Sequence, residues 1–593
     1  MSYNELINRR FFMSDYQVTT VTVSGLKDNI VLPKFQRGYV WNKSKKLELI
    51  ESLHQGFPFG ALLTFQKSVD QKEKLLDGQQ RWSTILDFQK NSASYFKKLS
   101  PDEYKKNFDK LNSWITGNAT EKISESEFDN ILSYRSDLSD WADEKKEKYN
   151  FGSKKAKDIR DLIKKVQELI SEYLKVEDIQ IPIIRYTGDE GNIAQVFENL
   201  NKGGVQLSKF EIFAAAWTHT SIELNLTDYQ NEILSHVKNF YLNKQEKAEE
   251  YGFSLDGFSE DDLTKNRVIN LYELGIGIGK FVAKRVPALV TDAEKSINEI
   301  GFGILGISAN VDPKKLGTIP NNIIYIQENI DSILSKVDRI SNKLSTIFDK
   351  LIKQNTNKNN NGAEYHRSLN TTYKTLSYFA SLWDKNEDSS DEESIIKNIP
   401  AYYVKDSIDG IWGNAGDNRL YEFYPKNNIK QYLVAPGKEE FINRFKYWIK
   451  EENTSTERFT SDVKALSTIH ANLTYLSDFV DYGESLQFEH IYPKARIREK
   501  DTGKTVLLGR IGNAMYLPKK LNQNKKTKTL YEIDNFEKYD RVILESSYPK
   551  EVDFDRVFKE LDENNFGIIN EKILERSYQV ADEIVNKLLS TKF

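Results

Sequence analysis

The chain has 593 residues, of which 39% are hydrophobic and 12% aromatic, and its formal net charge is −4. This composition supports sizeable cores in several domains and excludes an intrinsically disordered chain. Cysteine is absent, which excludes disulfides, cysteine-ligated metal sites and a cysteine nucleophile. No stretch combines the length and apolar character of a membrane span or a secretory signal, so we expect a cytoplasmic protein with no membrane partner.

The first 230 residues are predicted to form a mixed α/β domain that carries a charged helical insertion at about 92–178. Its predicted strands lie at 31–32, 60–65, 74–77 and 179–186. Pro182 favours an edge position for the last strand, because proline cannot donate a ladder hydrogen bond. Ser208 and Glu211 have the spacing of a capping box and predict a further helix start.

Two motifs of this domain concentrate polar residues next to strands. After a strand, Gly78 turns the chain and the following amides begin a helix, an arrangement that binds anions. Arg37 and Arg81 could each form a forked contact with a phosphate. The alternative is a structural pair between Arg81 and Asp77, with glutamine side chains closing the turn. The candidate nucleotide-binding set is Gln36, Arg37, Asp77, Gly78, Gln79, Gln80 and Arg81.

Three ordered motifs, PKFQRGYVW, LLDGQQR and FENLNKGGVQLSKFEI, resemble the ParB/sulfiredoxin-like domain at the front of GmrSD-type restriction enzymes. The resemblance implies a nucleotide-binding, often NTP-hydrolysing domain, with GTP, UTP and ATP all open. Sulfiredoxin works through a cysteine in the matching loop, and this chain has none, so thiol repair is excluded. The segment 201–204 matches the third motif and either shapes the pocket or is structural.

Residues 231–430 are predicted to be a helical middle domain. Apolar residues recur there in alternating steps of four and three, which is a heptad seam on a helix at about 323–353. A coiled-coil homodimer would use this seam, but packing of a long helix inside its own domain would use it too, and we favour internal packing. The seam residues are Ile326, Ile330, Ile333, Val337, Ile340, Leu344, Ile347 and Leu351.

Residues 431–593 are again mixed. We predict strands at 486–492 and 505–509, a helix beginning near 517–524, and two amphipathic helices within 552–592. A strand–turn–strand–helix arrangement here would bring together four polar residues, Glu489, His490, Asn513 and Asn522.

These residue types suit metal-assisted phosphodiester cleavage. A neutral histidine can take the proton of a water that attacks phosphorus. Carboxylate and amide oxygens can hold a hard divalent cation against the phosphate oxygens, and an asparagine can instead orient the histidine.

The order EHIYP, then GN, then LPKKLN resembles the HNH, or ββα-metal, nuclease finger. The resemblance implies that His490 is the general base and that Glu489 and Asn522 are ligands of Mg²⁺ or Mn²⁺. Asn513 would hold the loop or the base. The family usually has Asp at the position of Glu489, which leaves direct ligation by the longer side chain open.

Charge around this finger favours a DNA partner. Residues 485–530 contain eleven basic residues against three acidic ones, a local charge of +8, and such segments bind phosphate backbones by counterion release. The basic residues that we predict to contact DNA are Lys494, Arg496, Arg510, Lys519, Lys520 and Lys525.

The expected fold is α+β and multidomain: a ParB/sulfiredoxin-like domain at 1–230, a helical middle at 231–430 and an HNH finger within a helical domain at 431–593. The same order in GmrSD-type enzymes implies a type IV-like, NTP-dependent endonuclease that cuts modified foreign or phage DNA. Two alternatives stay open: a phosphorothioate-sensing NTPase and nickase that attacks unmarked phage DNA, and a non-catalytic ParB-like DNA-binding module.

Overall fold

The computed structural model describes residues 15–36, 41–68, 71–116, 122–134, 136–189, 192–193, 196, 208–354, 364–413, 416–427, 429–476, 486–534 and 540–593. The chain forms two compact units. The first comprises residues 1–219 and 238–266, and the second comprises 220–237 and 267–593. The boundary expected near residue 430 therefore falls inside the second unit, which contains both the helical middle and the C-terminal region.

The described strands are short, and most of those in the first unit are buried. They are β1 Tyr16–Thr22, β2 Ile30–Pro33, β3 Leu62–Phe65, β4 Glu73–Asp77, β5 Gln180–Tyr186, β6 Ile222–Glu223, β7 Leu255–Asp256, β8 Val268–Ile269, β9 Lys353–Gln354, β10 Glu364–Tyr365, β11 Leu486–His490 and β12 Ala514–Pro518. The predicted strands of the first domain are confirmed to within one or two residues.

A mixed six-stranded sheet with the order β1-β5-β3-β4-β2-β7 forms the centre of the first unit. Strand β5 pairs antiparallel with β1 and parallel with β3, so the predicted edge position is wrong. Pro182 stands opposite Thr20 in a ladder of seven residue pairs. A proline removes only one donor, and the remaining bonds on both sides keep the strand inside the sheet.

Helices cover the sheet and build the insertion. They are α1 Val23–Lys27, α2 Lys43–His54, α3 Gln79–Leu99, α4 Pro101–Thr116, α5 Glu125–Leu132, α6 Leu138–Lys148, α7 Ser153–Tyr173, α8 Lys209–Ala216, α9 Asp228–Glu250 and α10 Glu260–Asn266. The predicted insertion is confirmed as helical and has its own apolar core around Phe128 and Ile163. The capping box of Ser208 and Glu211 is also confirmed.

The second unit is mostly helical up to residue 476. We call residues 486–525, which contain β11, β12 and the helix that follows them, the finger. The helices of the unit before the finger are α11 Leu271–Arg285, α12 Glu294–Ser308, α13 Ile323–Ile352, α14 Thr372–Leu382, α15 Ser390–Ile408, α16 Gly416–Glu422, α17 Lys438–Tyr447 and α18 Ser461–Leu473. Among the described residues, no helix is both long enough and apolar enough to cross a membrane.

Helix α13 carries the predicted heptad seam. Every seam residue is buried, at 3% exposure or less, although Ile324 on the same helix is 72% exposed. The unit itself covers the seam, as the internal-packing interpretation predicts, so the seam has no surface left for a second copy of the chain.

The C-terminal part contains a strand–loop–strand–helix arrangement, as predicted. Strand β11 pairs antiparallel with β12, with His490 opposite Ala514. Its helices are α19 Lys494–Arg498, α20 Lys519–Lys525, α21 Asp540–Glu545, α22 Glu551–Asp562 and α23 Gly567–Ser590. The strand predicted at 505–509 is irregular backbone, because Asp501 accepts hydrogen bonds from the amides of Thr505 and Val506.

Candidate active site

The finger places its polar residues on two faces of β11, because successive side chains of a strand point to opposite sides. Gln487 and Glu489 face helix α20, where the Asn522 amide nitrogen lies 3.4 Å from the Gln487 side-chain oxygen. His490 projects from the other face and contacts Phe459. The predicted base and the predicted ligands are therefore neighbours that approach from different sides of the strand end.

His490 is held in an apolar and cationic environment. Its ring stacks on Phe459, with centroids 4.2 Å apart and an interplanar angle of 23°. Burial, followed by the charges of Lys494, Lys525 and Arg498, lowers the pKa of His490 to about 4. The imidazole is therefore neutral at pH 7, the state that a general base requires. Its Nε2 is buried and has no hydrogen-bond partner within the described part of the chain.

Glu489 and Asn522 bring a carboxylate and an amide to the same face of the finger. Burial raises the pKa of Glu489, while the Lys525 ammonium and the Asn522 side chain lower it. Within the described residues, no group of three or more histidine, aspartate or glutamate side chains could hold a metal. One carboxylate and one amide still fit Mg²⁺, which keeps several waters and takes few protein ligands.

Lys525 is part of the interior of the finger. Its side chain is fully buried, and its Nζ donates to Glu489 Oε1 at 2.8 Å and to the His490 carbonyl at 3.0 Å. Burial lowers the pKa of Lys525, and the Glu489 carboxylate opposes that effect. In this arrangement the ammonium fixes the end of β11 to α20 and has no surface to offer DNA, contrary to the predicted contact.

Asn513 holds the loop between the strands. Its buried side chain accepts a hydrogen bond from the Tyr492 amide at 2.8 Å and donates to the Leu508 carbonyl at 3.0 Å. Both functional groups of the amide are thus used by the backbone. Of the two roles that the sequence leaves open for Asn513, the geometry corresponds to holding the loop.

Two buried arginines tie the finger to its surroundings. Arg510 is 7% exposed and donates to the carbonyls of Asn453 and Lys450, so it too is withdrawn from the predicted contact with DNA. Arg576 of α23 donates to carbonyls on both sides of Asn513 and in the loop after α21. The sequence analysis missed Arg576, because a single arginine in an amphipathic helix carries no signal of burial.

The remaining predicted DNA contacts lie on the surface. Lys494 and Arg496 are 40% and 32% exposed, and Arg496 forms an ion pair with Glu532 at 2.9 Å. Lys519 and Lys520 are exposed at the start of α20. These four residues can approach a phosphate backbone without unfolding the finger.

The second candidate site lies where β4 ends and α3 begins. Arg81 donates to Asp77 at 2.8 Å and to the Phe59 carbonyl at 3.2 Å. Gly78 has a φ of +97°, and a Cβ there would lie 2.2 Å from a Leu62 methyl group. The turn therefore requires glycine, and it leaves Arg81 paired with Asp77, as the structural alternative predicts.

The glutamines of this site divide into two kinds. Gln36 donates to the carbonyls of Leu75 and Leu76 and so joins its motif to β4. Gln80 accepts from the Trp41 amide and joins the same motif to the start of α3. The Gln79 side-chain oxygen is buried without a hydrogen-bond partner among the described residues. Arg37 and the segment 201–204 lie outside the described residues.

Comparison with known proteins gives one family. Residues 20–218 match the GmrSD restriction endonuclease, N-terminal domain, a range that contains strands β2 to β5 and both candidate motifs of the second site. The match shows that the front third of the chain is similar to the N-terminal domain of a restriction endonuclease. No curated protein matches the chain.

Proposed function

We propose that the chain is an NTP-dependent DNA endonuclease of a type IV-like restriction and anti-phage system, which cuts modified foreign DNA by metal-assisted phosphodiester hydrolysis. The front of the chain supports this proposal through its match to the GmrSD N-terminal domain. The observation that carries the cleavage step lies in the finger: a neutral, buried His490 ends a strand beside the Glu489 carboxylate and the Asn522 amide.

In the proposed reaction, His490 accepts the proton of the water that attacks phosphorus. Its low pKa keeps the ring free to accept that proton at physiological pH. Glu489 and Asn522 would hold Mg²⁺ or Mn²⁺, which when bound stabilises negative charge on the phosphate oxygens. Lys525 keeps Glu489 and the His490 carbonyl in place, so its task is to position the strand end.

The front domain would bind the NTP at the start of α3. Helix α3 runs for 21 residues from Gln79, and the positive end of a helix dipole favours an anion at its start. Arg81 would exchange its contact with Asp77 for a phosphate oxygen, and the buried Gln79 oxygen would gain a donor. Nucleotide turnover would then license cleavage by the finger.

The experiment that tests the proposal compares DNA substrates and nucleotides in one assay. Purified protein is incubated with plain, glucosylated and phosphorothioate duplexes, with and without each NTP, in the presence of Mg²⁺ or Mn²⁺. We expect NTP-dependent cleavage of a modified duplex. If plain DNA is cleaved only when a separate phosphorothioate duplex is also present, the result would favour the sensing nickase. If no DNA is cleaved under any condition, the result would favour the non-catalytic module.

A further inference from the structure

An irregular segment, residues 453–460, lies directly on the finger. The Gly509 amide donates to the Ser455 carbonyl at 2.9 Å, and Arg498 donates to the Thr456 carbonyl. A Cβ on Gly509 would lie 2.4 Å from the Arg458 carbonyl oxygen, so the two backbones are in close contact. At its end, Phe459 stacks on His490. The segment therefore covers the proposed general base.

The same segment brings a carboxylate into a cluster of basic residues. Glu457 forms ion pairs with Lys494, with Arg498 at 3.5 Å and with Lys504 at 3.3 Å. Hydrogen bonds from Lys494 and Lys504 lower the pKa of Glu457 to about 2, so the carboxylate is charged at any physiological pH. We call Lys494, Arg498 and Lys504 the basic cradle.

The basic cradle has the composition of a phosphate site. Lys494 and Lys504 meet the Glu457 carboxylate directly, while Arg498 lies 3.5 Å from it and also forms an ion pair with the buried Asp501. Guanidinium and ammonium groups bind phosphate oxygens by the same charge-assisted hydrogen bonds that they make to carboxylates. All three cations lie in the segment between β11 and β12, and Glu457, which they contact, is two residues from Phe459, whose ring stacks on His490. A phosphate in the cradle would therefore lie close to the proposed general base.

We propose that Glu457 holds the place of a DNA phosphate in the basic cradle, and that residues 455–459 of this segment leave the finger when a DNA duplex binds, while Asn453 stays bound to Arg510. Departure of the segment would remove Phe459 from His490 and open the base to water. This inference rests on the proposed function, because it assumes that DNA is the substrate of the finger. It adds Arg498 and Lys504 to the residues that contact the substrate, and it makes the closed segment an inhibitory contact.

A DNA-binding measurement under conditions that prevent cleavage tests whether a DNA phosphate replaces Glu457 in the basic cradle. Affinity for a labelled duplex is measured in EDTA for the wild type, for E457Q, and for E571Q, which changes an exposed glutamate of α23 outside the cradle. We expect E457Q to bind about three- to tenfold more tightly, because one competing charge is lost. Its plot of log affinity against log salt should steepen by about one, the effect of one additional phosphate contact, while E571Q should behave as the wild type.

A second substitution tests whether the tighter binding of E457Q arises in the basic cradle. Adding K504A to E457Q removes an exposed cation of the cradle and should return the affinity to the wild-type value or below. If the wild type binds DNA but E457Q binds no more tightly, the inference is overturned and the proposed function stands. If none of these proteins binds DNA, the proposed function itself is contradicted.

Movement of the segment can be observed directly, because the chain has no cysteine and a single one can carry a probe. The substitution R458C, at an exposed position, is labelled with an environment-sensitive fluorophore, and the duplex is added in EDTA. A change in emission that saturates with DNA binding supports the exchange. Saturated DNA binding with unchanged emission would show that residues 455–459 stay on the finger.

Discussion

Burial sets the protonation of the individual residues in the finger. It raises the pKa of Glu489 and lowers those of His490 and Lys525, because a charge loses its hydration in each case. The pair of Glu489 and Lys525 offsets this loss by a direct ion pair. Among the residues that the structure describes, His490 has no such partner, and burial keeps it neutral, so it is better suited to accept a proton than Glu489.

Asn513 and Asn522 should differ in what their removal does. Asn513→Ala leaves the Tyr492 amide and the Leu508 carbonyl buried without partners, which should lower the free energy of unfolding by about 2–5 kcal/mol. Asn522→Ala removes only long contacts at the surface of the site and should cost less than about 1 kcal/mol, yet abolish cleavage. Urea unfolding and plasmid cleavage of both variants separate the roles; equal stability of the two would contradict them.

Arg81 allows a similar separation at the front of the chain. Arg81→Ala should weaken NTP binding at least tenfold by calorimetry, because a forked phosphate contact is lost. Asp77→Asn, which removes the negative charge that Arg81 contacts in this structure, should leave the affinity for the NTP equal or make it stronger. Arg160→Ala, on the surface of the insertion, is the control. If Arg81→Ala lowers the melting temperature and leaves nucleotide affinity unchanged, the arginine is structural.

At the scale of elements, periodicity predicted most of what the structure contains. Heptad spacing predicted α13, whose packing is internal as we favoured, and the strands predicted at 60–65, 74–77 and 179–186 correspond to β3, β4 and β5. The errors came from contacts distant in sequence. The sheet order places Pro182 between two neighbours, and hydrogen bonds to Asp501 turn residues 505–509 into a loop, so the second strand of the finger begins only at Ala514.

For the candidate sites too, the local sequence predicted some residues, and contacts distant in sequence decided the others. Residue types and motif order predicted that Glu489 and Asn522 lie on one face of the finger, because strand, loop and helix bring them together locally; His490 projects from the other face of β11. Burial of Lys525 and Arg510 could not be predicted, because basic residues normally lie on the surface and their partners depend on tertiary packing. Glu457 and Phe459 lie some thirty residues before the finger motif, and nothing in their local sequence indicates contact with it.

The seam of α13 supplies a test at the element scale. Ile340→Ala opens a cavity in the interior and should lower the free energy of unfolding by about 2–5 kcal/mol without changing the oligomeric state. Ile324→Ala, at an exposed position on the same helix, should change neither. Light scattering together with denaturant unfolding checks both variants, and a loss of dimer without a loss of stability would mean that the seam joins two copies.

At the scale of the whole molecule, the near-neutral net charge conceals opposed regions. Residues 485–530 carry +8, so the rest of the chain carries −12. Part of the positive charge is used internally, by Arg510 and Lys525, and part is neutralised by Glu457. The overall sum therefore gives no argument against DNA binding; the distribution of exposed cations decides it.

Histidine burial also makes the whole molecule sensitive to mild acid. The pKa values of His236, His366, His470 and His490 are all lowered by burial. The unfolded chain then binds more protons than the folded one between about pH 6.5 and pH 4, so the free energy of unfolding must fall as the pH falls through that window. We expect a loss of about 2 kcal/mol at pH 5 for each histidine whose pKa is lowered to about 4.

Thermal unfolding at pH 7 and pH 5 checks this dependence. His366→Gln should reduce the loss, since burial lowers the pKa of His366 to about 4. His219→Gln, at an exposed position, should leave it unchanged. Equal melting temperatures of the wild type at the two pH values would contradict the assignment of buried, neutral histidines.

The central claim is that His490 is the general base of a DNA-cleaving finger. The most direct measurement is the rate of plasmid cleavage by His490→Ala in Mg²⁺ or Mn²⁺ with NTP, beside the wild type and the exposed-histidine control His219→Ala. We predict that His490→Ala abolishes cleavage, while circular dichroism and nucleotide binding stay at their wild-type values. Full cleavage by His490→Ala would contradict the nuclease assignment.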